Sequence, residues 1–558
     1  MTLKSVNTLL DVLHFADSHT AVIVPELGIR VTYDGLRQQV LAMADALASA
    51  GIRRGDRVAL ALPNGLPALV SFLAASIAGT AAPLNPAYTY EEFHFFLGDT
   101  DARVLICPPV EAEYARSAAA DRKIPVFSAE MSDQGNVHLV DPRQGVSATV
   151  PTADDIALIL HTSGSTGRPK RVPLRHFNLA VSSANIANAY ALSEEDVALC
   201  IMPLFHIHGL MASTMATLLS GGAVVLPARF NALAFWRTVK EYRVTWYSGV
   251  PTMHQVLLAR THHKPEGAAS LRFIRSCSAP LSPELIHKIE GIFRVPFVEA
   301  YGMTEAAHQT TSNPLPPRHR KAGSVGVGTG IRISIMDANG NHLGTNERGE
   351  VLIQGANVFR GYEDDPAATA AALRDEWFRT GDLGMLDSDG SGSGEARCLG
   401  YHQGVQARFL PAPYQPDGGI SPVRLEEQVL AGSLPDPPWS EPRSATSLLP
   451  PTAMRCVITE LQPLRAGRVS PHRPRSQGPF APTACYHRHL CSYGPMRQSS
   501  AHRRTSRYTV IAPASRAEDL PRFDHTPFGC CRHPYAGRPG ACMCPISSAP
   551  TLAIARNR

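Results

Sequence analysis

The stretch "LHTSGSTGRPKRVP" (Leu160–Pro173) gathers small hydroxyl residues, glycines and basic side chains with almost no bulk. Gly164 and Gly167 let backbone N–H groups turn toward an anion, Thr162, Ser163, Ser165 and Thr166 add hydroxyl donors, and Lys170 adds a charge. That set suits a triphosphate. The loop departs from the G-x-x-x-x-G-K-[ST] pattern of the commonest nucleotide loop, because Lys170 follows Pro169 rather than a glycine. The preceding "IALIL" (Ile156–Leu160) predicts a buried strand that would feed the loop and hold its first residue in place.

The elements that must position such a loop recur along the first 390 residues. In "TYDGLRQQVLAMADALASAG", Leu36, Val40, Leu41, Ala44 and Leu47 fall on one helical face, with Thr32 as N-cap and Gly51 at the end. "RVALALP" predicts a buried strand, and "ALVSFLAASIAGTAAPLN" a helix running into a turn. "ARVLICPP", "GAVVLPA" and "TWYSGVP" repeat the strand signal. Strands alternating with helices imply an α/β fold around largely parallel sheets. From Ser324 the texture changes to short glycine-rich strands, "GSVGVGTGIRISIMDANGNHLG" and "GEVLIQG", which suits a small β-subdomain.

The chain has 558 residues, so more than one folding unit is expected. Hydrophobic residues make up 44% and mean hydropathy is −0.09, values that fit a globular chain with a sizeable core. The most apolar stretch, "GLMASTMATLLSGGAVVLPA" (Gly209–Ala228), is broken by Ser, Thr, Gly and Pro, which predicts a buried helix plus a strand rather than a membrane span. The N-terminus lacks a basic segment followed by a solid apolar block, so no secretory signal is expected. The net charge of +5 averages two unlike parts. Residues 391–558 hold 20 arginines, no lysine and 10 acidic residues, a net +10 that leaves the first 390 residues at −5. The same segment holds 23 of the 46 prolines and 8 of the 11 cysteines, and "RLEEQVLAG" is its one helix of ordinary pattern.

"TSGSTGRPK", "YGMTEAAH" (Tyr301–His308), "GEVLIQGANVFRGY" (Gly349–Tyr362) and "WFRTGDLG" (Trp377–Gly384) occur in that order. Together they resemble the core motifs of the AMP-forming acyl/aryl-CoA synthetase superfamily, over roughly residues 8–390. The resemblance implies a large adenylate-forming domain (1–390) followed by a small C-terminal domain (391–558). It implies ATP, Mg²⁺ and CoA as reactants and cofactors, with a small carboxylic acid as substrate and no nucleic-acid partner. The loop would hold the β- and γ-phosphates while the acid's carboxylate attacks the α-phosphorus. Two anions must meet, so neutralisation and alignment matter more than acid–base work. Lys170, Thr304 and Glu305 are then the expected catalytic residues. Glu305 is the expected Mg²⁺ ligand, a hard oxygen donor for a cation bridging phosphates, and Thr304 the partner of the α-phosphate. Asp382 would accept hydrogen bonds from the ribose hydroxyls and Tyr301 would stack on adenine. Glu299 and Ala300, just before Tyr301, are placed by the same motif in the nucleotide-binding set.

Four stretches look like the oxalate–CoA ligases within that superfamily: "PLFHIHGL" (Pro203–Leu210), "TWYSGVPTMHQVLL" (Thr245–Leu258), "LRFIRSCSAPL" (Leu271–Leu281) and "EAAHQTTSNPLPP" (Glu305–Pro317). Oxalate carries a second carboxylate that must be met inside the pocket, since a buried unpaired charge is costly. Ser278 and His308 offer donors there, with His206 or His208 opposite; the sequence leaves that choice open. Ligases for another short or aryl acid, or a non-catalytic nucleotide-binding remnant, are the rival readings.

The C-terminal part departs from the resemblance. The superfamily opens its small domain with a "GRxKE…GGExISP" hinge and closes it with a lysine that contacts the reacting groups. "GYHQGVQAR" (Gly400–Arg408) stands at the hinge, "GGISPVRLEEQVLAGSLPD" (Gly418–Asp436) echoes the next motif, and Arg468 in "LRAGRVS" stands where the lysine belongs. Arginine is a poor substitute for a point ammonium. Shifted by one nucleotide, permitted codons for "GYHQGVQAR" read Gly-Thr-Ile-Lys-Glu-Phe-Lys-Arg, close to the missing hinge. A tail partly translated out of its ancestral frame, mostly disordered and unable to support thioester formation, is therefore expected. Its cysteines lack paired C-x₂-C spacing, so no metal site is expected there. The expected compartment is cytoplasmic or peroxisomal, although the last residues, "ARNR", are not a peroxisomal tripeptide. The sequence does not indicate an oligomeric state.

Overall fold

Thr32 starts the first long helix as its spacing predicts. The helix runs Tyr33–Ser49, and the Thr32 hydroxyl accepts from Gly35 N at 3.1 Å, satisfying a backbone donor that the first turn leaves orphaned. Leu36, Val40, Ala44 and Leu47 are fully buried, and each buried leucine or valine contributes about 1.5–3 kcal/mol over leaving it in water. Leu41, expected on the same stripe, is instead 38% exposed. It follows Val40 by one residue, about 100° round the helix, outside the arc that Leu36, Val40 and Ala44 bury. Gly51 sits just beyond the helix at φ +100°, a conformation that disfavours side chains.

This geometry comes from a computed structural model that describes residues 6–13, 18–142, 144–162, 169–261 and 263–388, together with the backbone of the strand Arg397–Tyr401. All of these belong to the unit Met1–Ser444. The expected boundary at 390/391, the "RLEEQVLAG" helix, the tail cysteines and the expected disorder of the tail lie outside the described residues.

Three sheets organise the chain. The first has seven strands in the order Val137–Leu139, Val126–Met131, Ala102–Cys107, Arg57–Leu60, Thr80–Pro83, Ile156–Thr162 and Lys170–Arg175. Its centre is parallel, and Lys170–Arg175 returns antiparallel to Ile156–Thr162 with Thr162 opposite Lys170. The helix Leu66–Ala78 does not run into a turn as expected. It ends at Gly79 and passes directly into the buried strand Thr80–Pro83. That strand is made of Thr, Ala, Ala and Pro, residues with little strand signature, and neighbouring strands rather than propensity fix it. Gly79 permits the close join, since a Cβ there would lie 2.5 Å from Asp56 O.

The second sheet has nine strands. Its centre runs Phe297–Met303, Phe273–Ser276, Trp246–Gly249, Val197–Cys200, Ala223–Val225 and Thr20–Val24, all parallel. His308–Ser312 folds back antiparallel on Phe297–Met303, with Val327–Gly328 beyond it. The third sheet is antiparallel, built from Arg332–Met336, Gly349–Gln354, Trp377–Asp387 and Leu373–Arg374, with Arg397–Tyr401 pairing the long strand. The β-subdomain thus begins at Arg332 and not at Ser324, because Val327–Gly328 still completes the second sheet.

The apolar run Gly209–Ala228 becomes a π-helix (His208–Met215), a short α-helix (Ala216–Leu219) and the strand Ala223–Val225, all in the core. Among the described residues no helix is long and apolar enough to cross a membrane. The arrangement has a functional consequence. In open parallel sheets ligands bind beyond the carboxyl ends of the strands, and those ends here carry Thr162, Ser278 and the segment Thr304–His308.

Candidate active site

The expected phosphate loop is described at its two ends. Thr162 closes one strand and Lys170 opens the next, while Ser163, Gly164, Ser165, Thr166 and Gly167 lie outside the described residues. The Lys170 ammonium stands 4.7 Å from the centroid of the Tyr362 ring, where the ring's quadrupole attracts a cation. The Tyr362 hydroxyl in turn donates to Glu305 Oε1 at 3.0 Å. Lys170 and Glu305 are therefore linked through one aromatic side chain. Tyr362 has no role in the sequence reading beyond closing its motif, because its reach to Glu305 spans 57 residues of chain.

Glu305 is 3% exposed and sits in the single 3₁₀ turn Thr304–Ala306 that follows Phe297–Met303. Its carbonyl accepts from Phe359 N at 2.8 Å, which ties the turn to the segment before Tyr362. Thr304 opens the turn, half-buried. Tyr301 is buried one turn of chain earlier and donates to Asp382 Oδ2 at 2.6 Å. The other oxygen, Asp382 Oδ1, is buried without a hydrogen-bond partner among the described residues. A buried carboxylate oxygen left open is costly unless a ligand donor completes it.

Glu299 and Ala300 are both buried on the same strand. Glu299 Oε2 accepts from Gly323 N at 3.0 Å, and burial pushes its carboxyl up to about 8. It is thus a neutral acid at pH 7.

The residues expected to meet the acid include a second cluster. His208 is fully buried, with Nδ1 3.1 Å from Ser278 Oγ and Nε2 2.7 Å from Ser248 Oγ. His308 stacks on it, ring centroids 4.9 Å apart and planes 22° from parallel. His206 is exposed, its Nδ1 accepts from His208 N at 3.2 Å, and it lies near enough to both clustered imidazoles to disfavour their protonation. Of the two histidines, His208 is the one in contact with Ser278 and His308. Burial holds both clustered imidazoles well below 6.5; His308 and Arg275 add to this for His208, and Arg275 for His308. Both are neutral near pH 7.

Strained backbone marks the same place. Ser278, Ala307 and His308 take φ values of +75°, +48° and +97°, each costing about 1–3 kcal/mol and persisting only where the surroundings enforce them. Of these three, His308 meets Arg275, a residue the sequence reading did not single out. Its Nη2 lies 3.0 Å from His308 Nε2 and donates to Gln309 Oε1 at 2.9 Å. Among the described residues no group of His, Cys, Asp and Glu is arranged to hold a metal on protein ligands alone. Glu305, as one buried carboxylate, fits instead a cation completed by phosphate oxygens.

A parallel-centred α/β domain with a buried Tyr–Asp pair and a buried glutamate just beyond the end of one of its parallel strands suits an enzyme that activates an acid with a nucleotide. The AMP-binding enzyme family profile matches residues 14–363, and the chain belongs to that family. Its reaction class is AMP-forming ligation of an acid to CoA. The chain is 45% identical to an oxalate–CoA ligase of Arabidopsis thaliana, over 64% of this chain and 72% of that one. It is 38% identical to an oxalate–CoA ligase of Saccharomyces cerevisiae, over 67% and 75%. Among solved structures it resembles ATP-bound MatB from Rhodopseudomonas palustris, with a TM-score of 0.64 and 30% identity over 71% of this chain and 79% of that one.

Proposed function

We propose that the domain spanning residues 1–390 activates a small dicarboxylic acid, oxalate in the first place, by joining it to AMP. The observation that carries this reading is the polar cluster of the buried His208 and His308 with the half-buried Ser278. A fatty or aryl acid would be met by small apolar residues, whereas this cluster offers imidazole and hydroxyl donors to a second carboxylate.

The motif resemblance and the contacts above support the following roles. One carboxylate oxygen attacks the α-phosphorus of ATP, the bond to the bridging oxygen of the β-phosphate breaks, and pyrophosphate leaves. Lys170 neutralises phosphate charge beside the loop, and Thr304 hydrogen-bonds the α-phosphate. Glu305, held by Tyr362, would bind Mg²⁺, which supplies Lewis-acid charge neutralisation between phosphates when present. Asp382 Oδ1 accepts from the ribose, while Tyr301 covers the adenine and fixes the other carboxylate oxygen. Glu299 and Ala300 form the buried strand behind the base. In the second half-reaction the CoA sulfur attacks the acyl carbon and AMP leaves. Residues 391–558 contain no lysine, so we place this chain's competence in the first half-reaction and its weakness in the second.

The test is ATP–pyrophosphate exchange in a chimera carrying a complete C-terminal domain from a relative. Exchange is expected to run far faster with oxalate than with octanoate or cinnamate, and Ser278→Ala or His308→Ala to slow oxalate most. Faster exchange with the medium-chain or aryl acid overturns the assignment.

A further inference from the structure

Arg275 lies on the strand Phe273–Ser276, at the centre of the nine-stranded sheet, and is fully buried. Its register neighbours are Ser248 on one side and Val298 on the other. Every donor of the guanidinium meets a neutral acceptor. Nε donates to Tyr190 Oη at 2.8 Å and Gln309 Oε1 at 3.2 Å. Nη1 donates to Ser248 Oγ at 2.8 Å and reaches His208 Nε2 at 3.2 Å. Nη2 serves Gln309 and His308 Nε2. Among the described residues no carboxylate pairs with this cation. Arg272, three residues earlier, makes the contrast: it grips Asp196 at 2.6 Å. A cation buried without an anion is expensive, and proteins ordinarily avoid it.

The chemistry of the guanidinium fixes the polarity of everything around it. Arginine only donates, so the Nε2 atoms of His208 and His308 must both be lone-pair acceptors. In neutral imidazoles the remaining proton is then on Nδ1. His208 Nδ1–H donates to Ser278 Oγ, which leaves the Ser278 hydroxyl hydrogen free to point elsewhere. Ser248 Oγ accepts from Arg275, and its hydroxyl shares the one lone pair of His208 Nε2 with Arg275 Nη1 in a three-centre bond. His308 Nδ1–H has no acceptor among the described residues.

We propose that Arg275 is the specificity-determining positioning residue of the acid pocket. By donating to both histidines from behind, it turns the His308 Nδ1–H and the Ser278 hydroxyl toward the bound acid, and its unpaired charge selects an acid with a second anionic group. The proposal rests on the acid-pocket reading above, and it concerns charge selection rather than which diacid is taken. It gives the pocket donors without acceptors. A neutral isostere of the second carboxylate gains no compensation for the buried charge.

The experiment uses the full chain with a non-hydrolysable ATP analogue bound, and reads two quantities. Calorimetry compares oxalate with oxamate, in which an amide replaces one carboxylate. Nitrogen-15 NMR of labelled histidines reads the tautomers, with His208→Gln and His308→Gln assigning the signals. The wild type is expected to bind oxalate at least about tenfold more tightly than oxamate, with both imidazoles in the Nδ1–H form. Arg275→Met should bring that ratio close to one and release at least one imidazole to the Nε2–H form, while affinity for the nucleotide analogue stays unchanged. Arg275→Lys remains donor-only and should keep the tautomers, so it serves if the methionine variant does not fold. An Arg275→Met chain that keeps the oxalate-to-oxamate ratio or both tautomers overturns the proposal, as does a wild type with no preference for any dianion over its monoanion. A wild type that prefers malonate to malonamate, with the preference lost in Arg275→Met but no response to oxalate, upholds the role of Arg275 and refutes the oxalate reading.

Discussion

Replacing Asp382 with alanine isolates the nucleotide side of the site from the acid side. The carboxylate is 3% exposed, one oxygen takes the Tyr301 phenol at 2.6 Å, and the other is buried with no partner among the described residues. If Oδ1 waits for ribose hydroxyls, the variant loses hydrogen bonds to a charged acceptor, about 1.5–3 kcal/mol. That is roughly a 10- to 150-fold weaker Kd for ATP. Alanine also removes the Tyr301 hydroxyl's carboxylate acceptor, so loss of affinity alone would not separate ribose recognition from general loosening. A cycle separates them. Calorimetry on wild type and variant with ATP and with 2′,3′-dideoxy-ATP should show the wild type discriminating between the two ligands by most of that factor. In Asp382→Ala the two ligands should bind alike. Tyr301→Phe, which removes the phenol and keeps the carboxylate, should retain the discrimination. A variant that still separates ATP from its dideoxy form by the wild-type factor refutes the assignment of Asp382 to the ribose.

Two other perturbations read different parts of the site. Glu305→Gln should shrink the gain in ATP affinity that Mg²⁺ brings by about tenfold or more, the scale of one lost charge-assisted ligand. Tyr362→Phe should show a smaller loss of the same gain, measured by calorimetry with and without the cation; an unchanged Mg²⁺ effect in Glu305→Gln removes it from the metal site. Glu299 gives a pH signature. Its folded pKa of about 8 lies above the ordinary value of 4.5, so its stabilising contribution is whole below about pH 4.5 and is lost as pH rises toward 8. Across that window the unfolding free energy of the wild type should fall relative to Glu299→Gln with a slope approaching 1.4 kcal/mol per pH unit. Urea titrations of the two chains at several pH values give the difference, and parallel curves contradict a buried neutral Glu299.

What was legible in the sequence followed a division between local and tertiary signals. The Thr32 cap, the Leu36–Val40–Ala44–Leu47 stripe and the strand before the phosphate loop are set by spacing within one element, and they read correctly. Leu41 failed because an apolar residue at the margin of a stripe satisfies the pattern as well as one at its centre. Thr80–Pro83 was hidden because its strand character comes from the strands flanking it, not from its own four residues. The two arginines of "LRFIRS" show the limit most sharply. Arg272 and Arg275 are the same residue type in one strand-like run, yet one finds Asp196 and the other finds no acid among the described residues. One signal was present: a strand buried on both faces of a parallel sheet has no solvent side, so an arginine two residues from Phe273 in such a strand could not be a surface charge. Weighing that against a parallel-sheet prediction already made from the strand–helix alternation would have flagged Arg275 before His206. The partners that make it informative, Tyr190, Ser248, His208, His308 and Gln309, come from four further elements, and only the fold brings them to one guanidinium.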